Sequence, residues 1–181
     1  MSDKMKTGLP ANPNDEIDYS GVELKEIYLA GGCFWGGEAW MRRIKGVADT
    51  EVGYANGTKD NPTYEEVCTG TTGHAECVRV RFAPSVITTA GVLEAFFETI
   101  EHERVMAPDG QYRNGVYYND EEIAADVNAF IEGMKEYGAK IGLQVCPLTV
   151  FWAAEDYHQD YLEKNPGGFC HVDLSRLDSR K

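Results

Sequence analysis

Cys33 is the residue of this chain best suited to covalent chemistry, because it lies in Gly31-Gly32-Cys33-Phe34-Trp35-Gly36-Gly37. A β-type stretch precedes it and a helical apolar pattern follows, so the thiol falls on a strand-to-helix turn. There the sulfur meets the positive end of the helix dipole and unpaired backbone N–H groups, which favour thiolate over thiol. The flanking glycines let the chain turn sharply and leave space round the sulfur, while Phe34 and Trp35 supply flat apolar walls. The plain alternative is a buried, inert cysteine in a glycine-rich turn. Glu76 is the second candidate, closing Thr71-Thr72-Gly73-His74-Ala75-Glu76 where an alternating strand begins. From a strand's first residues a carboxyl reaches a cleft, and desolvation by apolar neighbours raises its pKa toward what acid catalysis near neutrality needs. The alternative is a surface glutamate paired with an arginine. His74-Ala75-Glu76 also matches the H-x-E of zinc-dependent nucleobase deaminases. That chemistry needs a later P-C-x-x-C, and the one Cys-Pro step, Cys146-Pro147, has no second cysteine at the right distance.

Several elements must hold these groups in place. Lys25 to Ala30 reads as a strand, and Ala39, Trp40, Met41 and Ile44 give the following helix its apolar face. Val47 to Tyr54 reads as a second strand, followed by a turn-rich loop through Asn56-Gly57 and Asn61-Pro62 that ends near Tyr64. From Ala75 to Ala83, Val78, Val80 and Phe82 alternate with Arg79 and Arg81, the period of a strand with one buried face. Val92, Leu93, Phe96, Phe97 and Ile100 recur at helical spacing, and Tyr112 to Tyr118 reads as a fourth strand. Asn119 and Glu122 then resemble a capping box for a helix bearing Ile123, Val127, Phe130, Ile131 and Met134 and ending at Gly138. Leu143 to Trp152 reads as one more strand and Ala154 to Lys164 as a short helix. The order strand-helix-strand-strand-helix-strand predicts an α+β two-layer sandwich with a ferredoxin-like split βαβ core, an extra helix and a C-terminal extension. One domain is expected over residues 23–172. A polar tail, mobile or laid over the surface, precedes it (1–22), and a short tail follows (173–181).

Composition narrows the class of partner. Of 181 residues, 30 are acidic and 17 basic, a formal charge of −13 that repels a nucleic-acid backbone. The first residues lack an apolar core behind their lysines, and no apolar run approaches the roughly 18 residues of a membrane span, so a cytoplasmic protein is expected. Five cysteines, at 33, 68, 77, 146 and 170, are odd in number and irregularly spaced, and so read as thiols in a reducing compartment. Cys68, Cys77 and Cys146 fall on apolar or strand-like segments and are expected to be buried. The dispersed histidines form no metal-ligand pattern.

Gly31-Gly32-Cys33-Phe34-Trp35-Gly36 resembles the G-C-F-W signature of the peptide methionine sulfoxide reductase A family. The likeness continues in family order through Gly53-Tyr54-Ala55-Asn56-Gly57, Asn61-Pro62-Thr63-Tyr64, Thr71 to Glu76, Gln111-Tyr112-Arg113, Pro147-Leu148-Thr149 and Ala154 to Tyr161. The resemblance implies reduction of methionine S-sulfoxide, free or in proteins, as a repair of oxidative damage. Cys33 would be the nucleophile, Glu76 the acid that protonates the departing oxygen, Tyr64 and Tyr112 its hydrogen-bond donors, and Phe34 and Trp35 the pocket for the substrate methyl group. A sulfenic acid on Cys33 would follow. By the same resemblance Cys170, after a glycine-rich stretch, would be the resolving thiol, the alternative being a structural cysteine with Cys33 reset directly by an external thiol. The enzyme then needs no bound cofactor, only an external thiol reductant, thioredoxin or dithiothreitol, and works as a monomer. Asp156 and His158, within Glu155-Asp156-Tyr157-His158-Gln159, would support the site or else lie on a solvated helix face. One departure stands out: the stretch from Ile100 to Gly110 is shorter than in the family, which places a G-N-D aspartate there. Asp109 is the candidate replacement, and His102 reads as a solvated loop residue.

Overall fold

The computed structural model describes residues 9–100, 107 and 109–180. Four strands, β1 (Lys25–Ala30), β2 (Val47–Ala55), β3 (Ala75–Phe82) and β4 (Gly115–Tyr118), form the centre of a six-stranded sheet in the order β4-β1-β3-β2. Helix α1 (Phe34–Met41) connects β1 to β2, a short α2 (Tyr64–Cys68) lies between β2 and β3, and α3 (Thr89–Phe97) connects β3 to β4. β1 is antiparallel to both β3 and β4, and β2 is antiparallel to β3, which is the split βαβ arrangement expected. The alternation Val78, Val80, Phe82 places these side chains with Ile27, Leu29, Trp40, Leu93 and Val127 in the main core, on the side of the sheet that the helices cover.

The fourth expected strand begins later than its residues suggested. Gln111 and Tyr112 belong to a turn, where the Gln111 carbonyl accepts the Glu76 N–H at 2.9 Å. The long helix expected after Asn119 is capped instead by Asp120, whose Oδ1 accepts from the N–H groups of Glu122 and Ile123. It ends as α4 (Glu121–Glu132) and resumes as α5 (Lys135–Lys140), because Met134 leaves helical geometry at φ −132° and ψ 30°.

The stretch from Leu143 to Trp152 is not one strand but two. β5 (Gln144–Pro147) runs parallel to β4 at one edge of the sheet, and β6 (Phe151–Ala153) runs antiparallel to β2 at the other. Three residues join them, enough for a span of only about 15 Å, whereas the edges of a flat six-stranded sheet stand about 24 Å apart. The sheet therefore curls. Its inner face carries Ala30, Ala55, Ala75 and Cys77 beside Tyr28 and Tyr117, and small side chains there allow the strands to close in. Asn56, at φ 57°, secures the crossing: its Oδ1 accepts the Thr149 N–H at 2.7 Å and its backbone N–H donates to Val150 O.

The described segments near both ends of the chain pack on this body. Asn14 is buried and donates from Nδ2 to the carbonyls of Arg42 and Ile44, each at 2.9 Å, while its Oδ1 accepts the Gly46 N–H at 3.1 Å. Asn14→Ala leaves those buried groups short of partners. It is expected to cost about 2 kcal/mol, seen as a lower urea midpoint at unchanged m-value. After residue 172 the chain forms a 3-10 helix, Leu174–Arg180, that buries Leu177. Arg176 there donates to Glu98 O at 3.1 Å and lies 5.6 Å over the Trp40 ring. No helix among the described residues is long and apolar enough to cross a membrane.

Candidate active site

Cys33 occupies the N-cap of α1, with φ −62° and ψ 125°. Gly32 before it has φ 81°, a left-handed conformation natural to glycine, and a Cβ there would come within 3.1 Å of the His171 ring. The backbone N–H groups of Trp35 and Gly36 reach the sulfur and favour its ionised form, as the motif suggested. They do not prevail. Burial, with the Glu76 carboxylate adding to it, pushes the Cys33 thiol up to about 12, so the shift toward thiolate expected from the helix end is reversed.

Glu76 is only 1% exposed. One carboxyl oxygen accepts the Phe34 N–H at 3.2 Å and the other accepts Gln111 Nε2–H at 2.5 Å. Burial dominates those hydrogen bonds and raises Glu76 to about 7, the acid poised near neutrality that the sequence reading required. Cys33 and Glu76 share a narrow space lined by Phe34, Gly37 and Met41. Above the sulfur opens a cavity of about 280 Å³ whose walls include Cys33, Trp35, Tyr64 and Tyr112. Burial raises both tyrosine hydroxyls, Tyr112 to about 12, so each remains a proton donor at neutral pH.

The sequence profile of the family described as peptide methionine sulfoxide reductase matches residues 25–181. The chain belongs to that family. A Clostridium botulinum protein named peptide methionine sulfoxide reductase MsrA is 48% identical over 160 residues, covering 83% of this chain and 99% of the relative. The crystal structure of Saccharomyces cerevisiae Mxr1 in reduced form superposes with a TM-score of 0.72 at 35% identity, over 88% of this chain and 96% of that one. Mxr1 in complex with Trx2 matches with a TM-score of 0.52 at 26% identity, over 81% of this chain and 90% of that one.

Around this family's cysteine the structure distributes the candidate residues unevenly. Trp35 lines the cavity, stacked on Tyr161 with ring centroids 3.7 Å apart and 8° between planes. Phe34 does not line it: at 2% exposure its ring packs below, against Tyr54 and His158, and it is its N–H that serves Glu76. His158 is fully buried, accepts Trp35 Nε1–H on Nδ1 at 2.9 Å, and is held neutral by burial. Asp156, by contrast, points into solvent. Its neighbour Glu155 is the carboxylate that serves the site, accepting Tyr54 Oη–H at 2.8 Å and the Tyr64 N–H at 3.0 Å. Those hydrogen bonds outweigh burial and keep Glu155 below the usual glutamate range. Asp109 is exposed and is not among the cavity walls, and His102 lies outside the described residues.

Cys170 is half-buried against the first turn of α1. Its sulfur donates to Val172 O at 3.1 Å, and a Cβ on Gly36 would come within 3.0 Å of it. Of the three cysteines expected to be buried, Cys77 is, Cys146 is half-buried, and Cys68 is exposed at the end of α2. That five-residue helix starts where the turn-rich loop is expected to end, and Thr63 and Glu66 form a capping box for it whose T-x-x-E pattern is visible in the sequence. Thr99, Asn114, Phe169 and His171 also line the cavity and carry no sequence signal of it, since they come from the turn after α3, the segment before β4 and the C-terminal segment. The zinc deaminase reading loses its ligand: His74 is buried, with Nδ1 accepting the Gly57 N–H at 3.0 Å and Nε2 at 2.7 Å from Lys59 O.

Proposed function

We propose that the chain reduces methionine S-sulfoxide with Cys33 as nucleophile and Glu76 as acid. Membership of the family carries the reaction itself: the enzyme is a peptide methionine sulfoxide reductase, and it repairs methionine oxidation. What supports the residue roles is one observation: Cys33 lines a cavity together with Tyr64, Tyr112 and Trp35, and shares the narrow space beside it with Glu76, whose carboxyl burial raises toward neutrality.

The sulfoxide side chain enters with its methyl group on Trp35 and its oxygen toward Tyr64, Tyr112 and Glu76. The Cys33 sulfur attacks the sulfoxide sulfur, and the S–O bond breaks as Glu76 lends its proton to the oxygen. The hydroxyl so formed then bonds to the Cys33 sulfur as the S–S bond made in the attack breaks, methionine leaves with that bond's electron pair, Cys33 is left as a sulfenic acid, and the proton released by the Cys33 thiol reloads Glu76. The Cys170 thiol then condenses with the sulfenic acid, expelling water and leaving a Cys33–Cys170 disulfide. A dithiol of the thioredoxin kind reduces that bond and is itself oxidised. Mxr1 in complex with Trx2 supports this choice of reductant. The enzyme so described works as a monomer on free or protein-bound sulfoxide in a reducing cytoplasm, with no bound cofactor.

The deciding assay offers both sulfoxide epimers with dithiothreitol. The S epimer is expected to be consumed and the R epimer left, and reduction of neither overturns the reading. Cys170→Ser is expected to keep dithiothreitol-driven turnover while losing about 10²-fold or more of thioredoxin-driven turnover, because no disulfide forms for thioredoxin to attack. Normal thioredoxin-driven turnover in that variant would remove Cys170 from the cycle.

A further inference from the structure

Glu38 is a buried carboxyl that the reduction does not use. It follows Trp35 by three residues on α1 and so shares a face with it, beside a small niche that both line with Arg42 and Asp160. Its Oε2 accepts the Asp160 N–H at 2.9 Å, and its Oε1 lies 3.3 Å from the Thr50 hydroxyl. Asp160 is fixed in the left-handed region at φ 53°, and its carboxylate pairs with Arg42. The residues around Asp160 are the ones that grip Trp35. Tyr161 stacks on the face of the indole and His158 takes its N–H, while Gln159 between His158 and Asp160 is tied to β2 through Val52 N and O.

We propose that Glu38 is a positioning residue for substrate binding: by fastening Asp160 to α1 it holds Tyr161 and His158 against Trp35 and so sets the apolar wall of the cavity. This rests on the reading of Trp35 as a wall that touches the sulfoxide methyl group. Burial, with Asp160 adding to it and Arg42 opposing, raises the Glu38 carboxyl to about 8, so the group that binds Asp160 at neutral pH is mostly the protonated acid. Glutamine reproduces that group, with a carbonyl oxygen for Asp160 N–H and an N–H for Thr50.

Steady-state kinetics with dithiothreitol and a methionine-sulfoxide peptide test this. Glu38→Ala, and Glu38→Asp whose shorter arm fills the niche without reaching Asp160, are expected to raise KM about five- to tenfold with kcat within about twofold. Glu38→Gln is expected to restore the wild-type KM. In a Trp35→Ala background, which itself raises KM, adding Glu38→Ala is expected to change KM by less than about twofold, since both act through one wall. A wild-type KM in Glu38→Ala and Glu38→Asp, a loss confined to kcat, a glutamine variant as impaired as alanine, or a full Glu38→Ala effect without Trp35 each overturns the proposal. If Trp35→Ala alone leaves KM unchanged, the wall reading fails and the proposal with it. Wild-type Glu38 variants beside an impaired Trp35→Ala enzyme sink the proposal only.

Discussion

Cys33→Ser is expected to stay folded and to lose at least about 10³-fold in sulfoxide reduction, because a serine oxygen is a far weaker nucleophile toward sulfoxide sulfur than a cysteine sulfur. Serine is itself a favoured N-cap, so the thermal midpoint is expected to hold or rise slightly while activity disappears. A single-turnover measurement of methionine released per enzyme makes the comparison, and a serine variant of undiminished rate would end the assignment. The native thiol has its own signature. Raised to about 12 by burial and by Glu76, Cys33 is expected to react with iodoacetamide more slowly at pH 7 than an exposed cysteine, and faster as pH rises.

Glu76→Gln is expected to lower kcat/KM by about 10²- to 10⁴-fold, the usual worth of a placed general acid. As the proposed acid, Glu76 would act in its protonated form, and burial raises it to about 7, so wild-type activity is expected to be full below that pH and to fall as pH rises through it. The glutamine variant cannot titrate and is expected to lose that limb of the profile. Stability falls over the same rise in pH. Because burial raises Glu76 from its unfolded value of 4.5 to about 7, folding is favoured while the carboxyl is protonated, and that advantage is lost between those two pH values. Glu76→Gln removes the buried charge, so it is expected to unfold at the same midpoint as wild type at pH 4 and above it at pH 8. The gain is on the order of 3 kcal/mol if the whole shift is realised. Equal melting curves at both pH values would show that Glu76 is not desolvated.

The parts of the fold that the sequence foretold are those where one side of an element is buried and the other is not. Val78, Val80 and Phe82 against Arg79 and Arg81 mark β3 to within a residue of its end, and the apolar turn-by-turn spacing of Val92, Leu93, Phe96 and Phe97 marks α3. The failures share a cause. Leu143 to Trp152 has the composition of one strand, and nothing in it declares that Pro147, which cannot donate to a ladder, is followed by a crossing from one sheet edge to the other. That crossing exists because the sheet curls, a property of all six strands together.

The candidate site divides along the same line. Sequence alone determined that a cysteine with glycines and aromatics about it stands at a helix start, that a glutamate opens the neighbouring strand, and that tyrosines 64 and 112 belong with them, because these follow from residue types at short spacing and from the ordered family segments. Tertiary structure decided the electrical state of each. The helix end that favours thiolate is visible locally, whereas the burial and the Glu76 carboxylate that defeat it come from β3, more than forty residues away along the chain. It also decided that Glu155 rather than Asp156 faces the site, that Phe34 supports the cavity floor while Trp35 forms its wall, and that Cys68 is exposed. Direction and desolvation depend on which distant segments pack together, and a pattern of neighbouring residues carries no record of that.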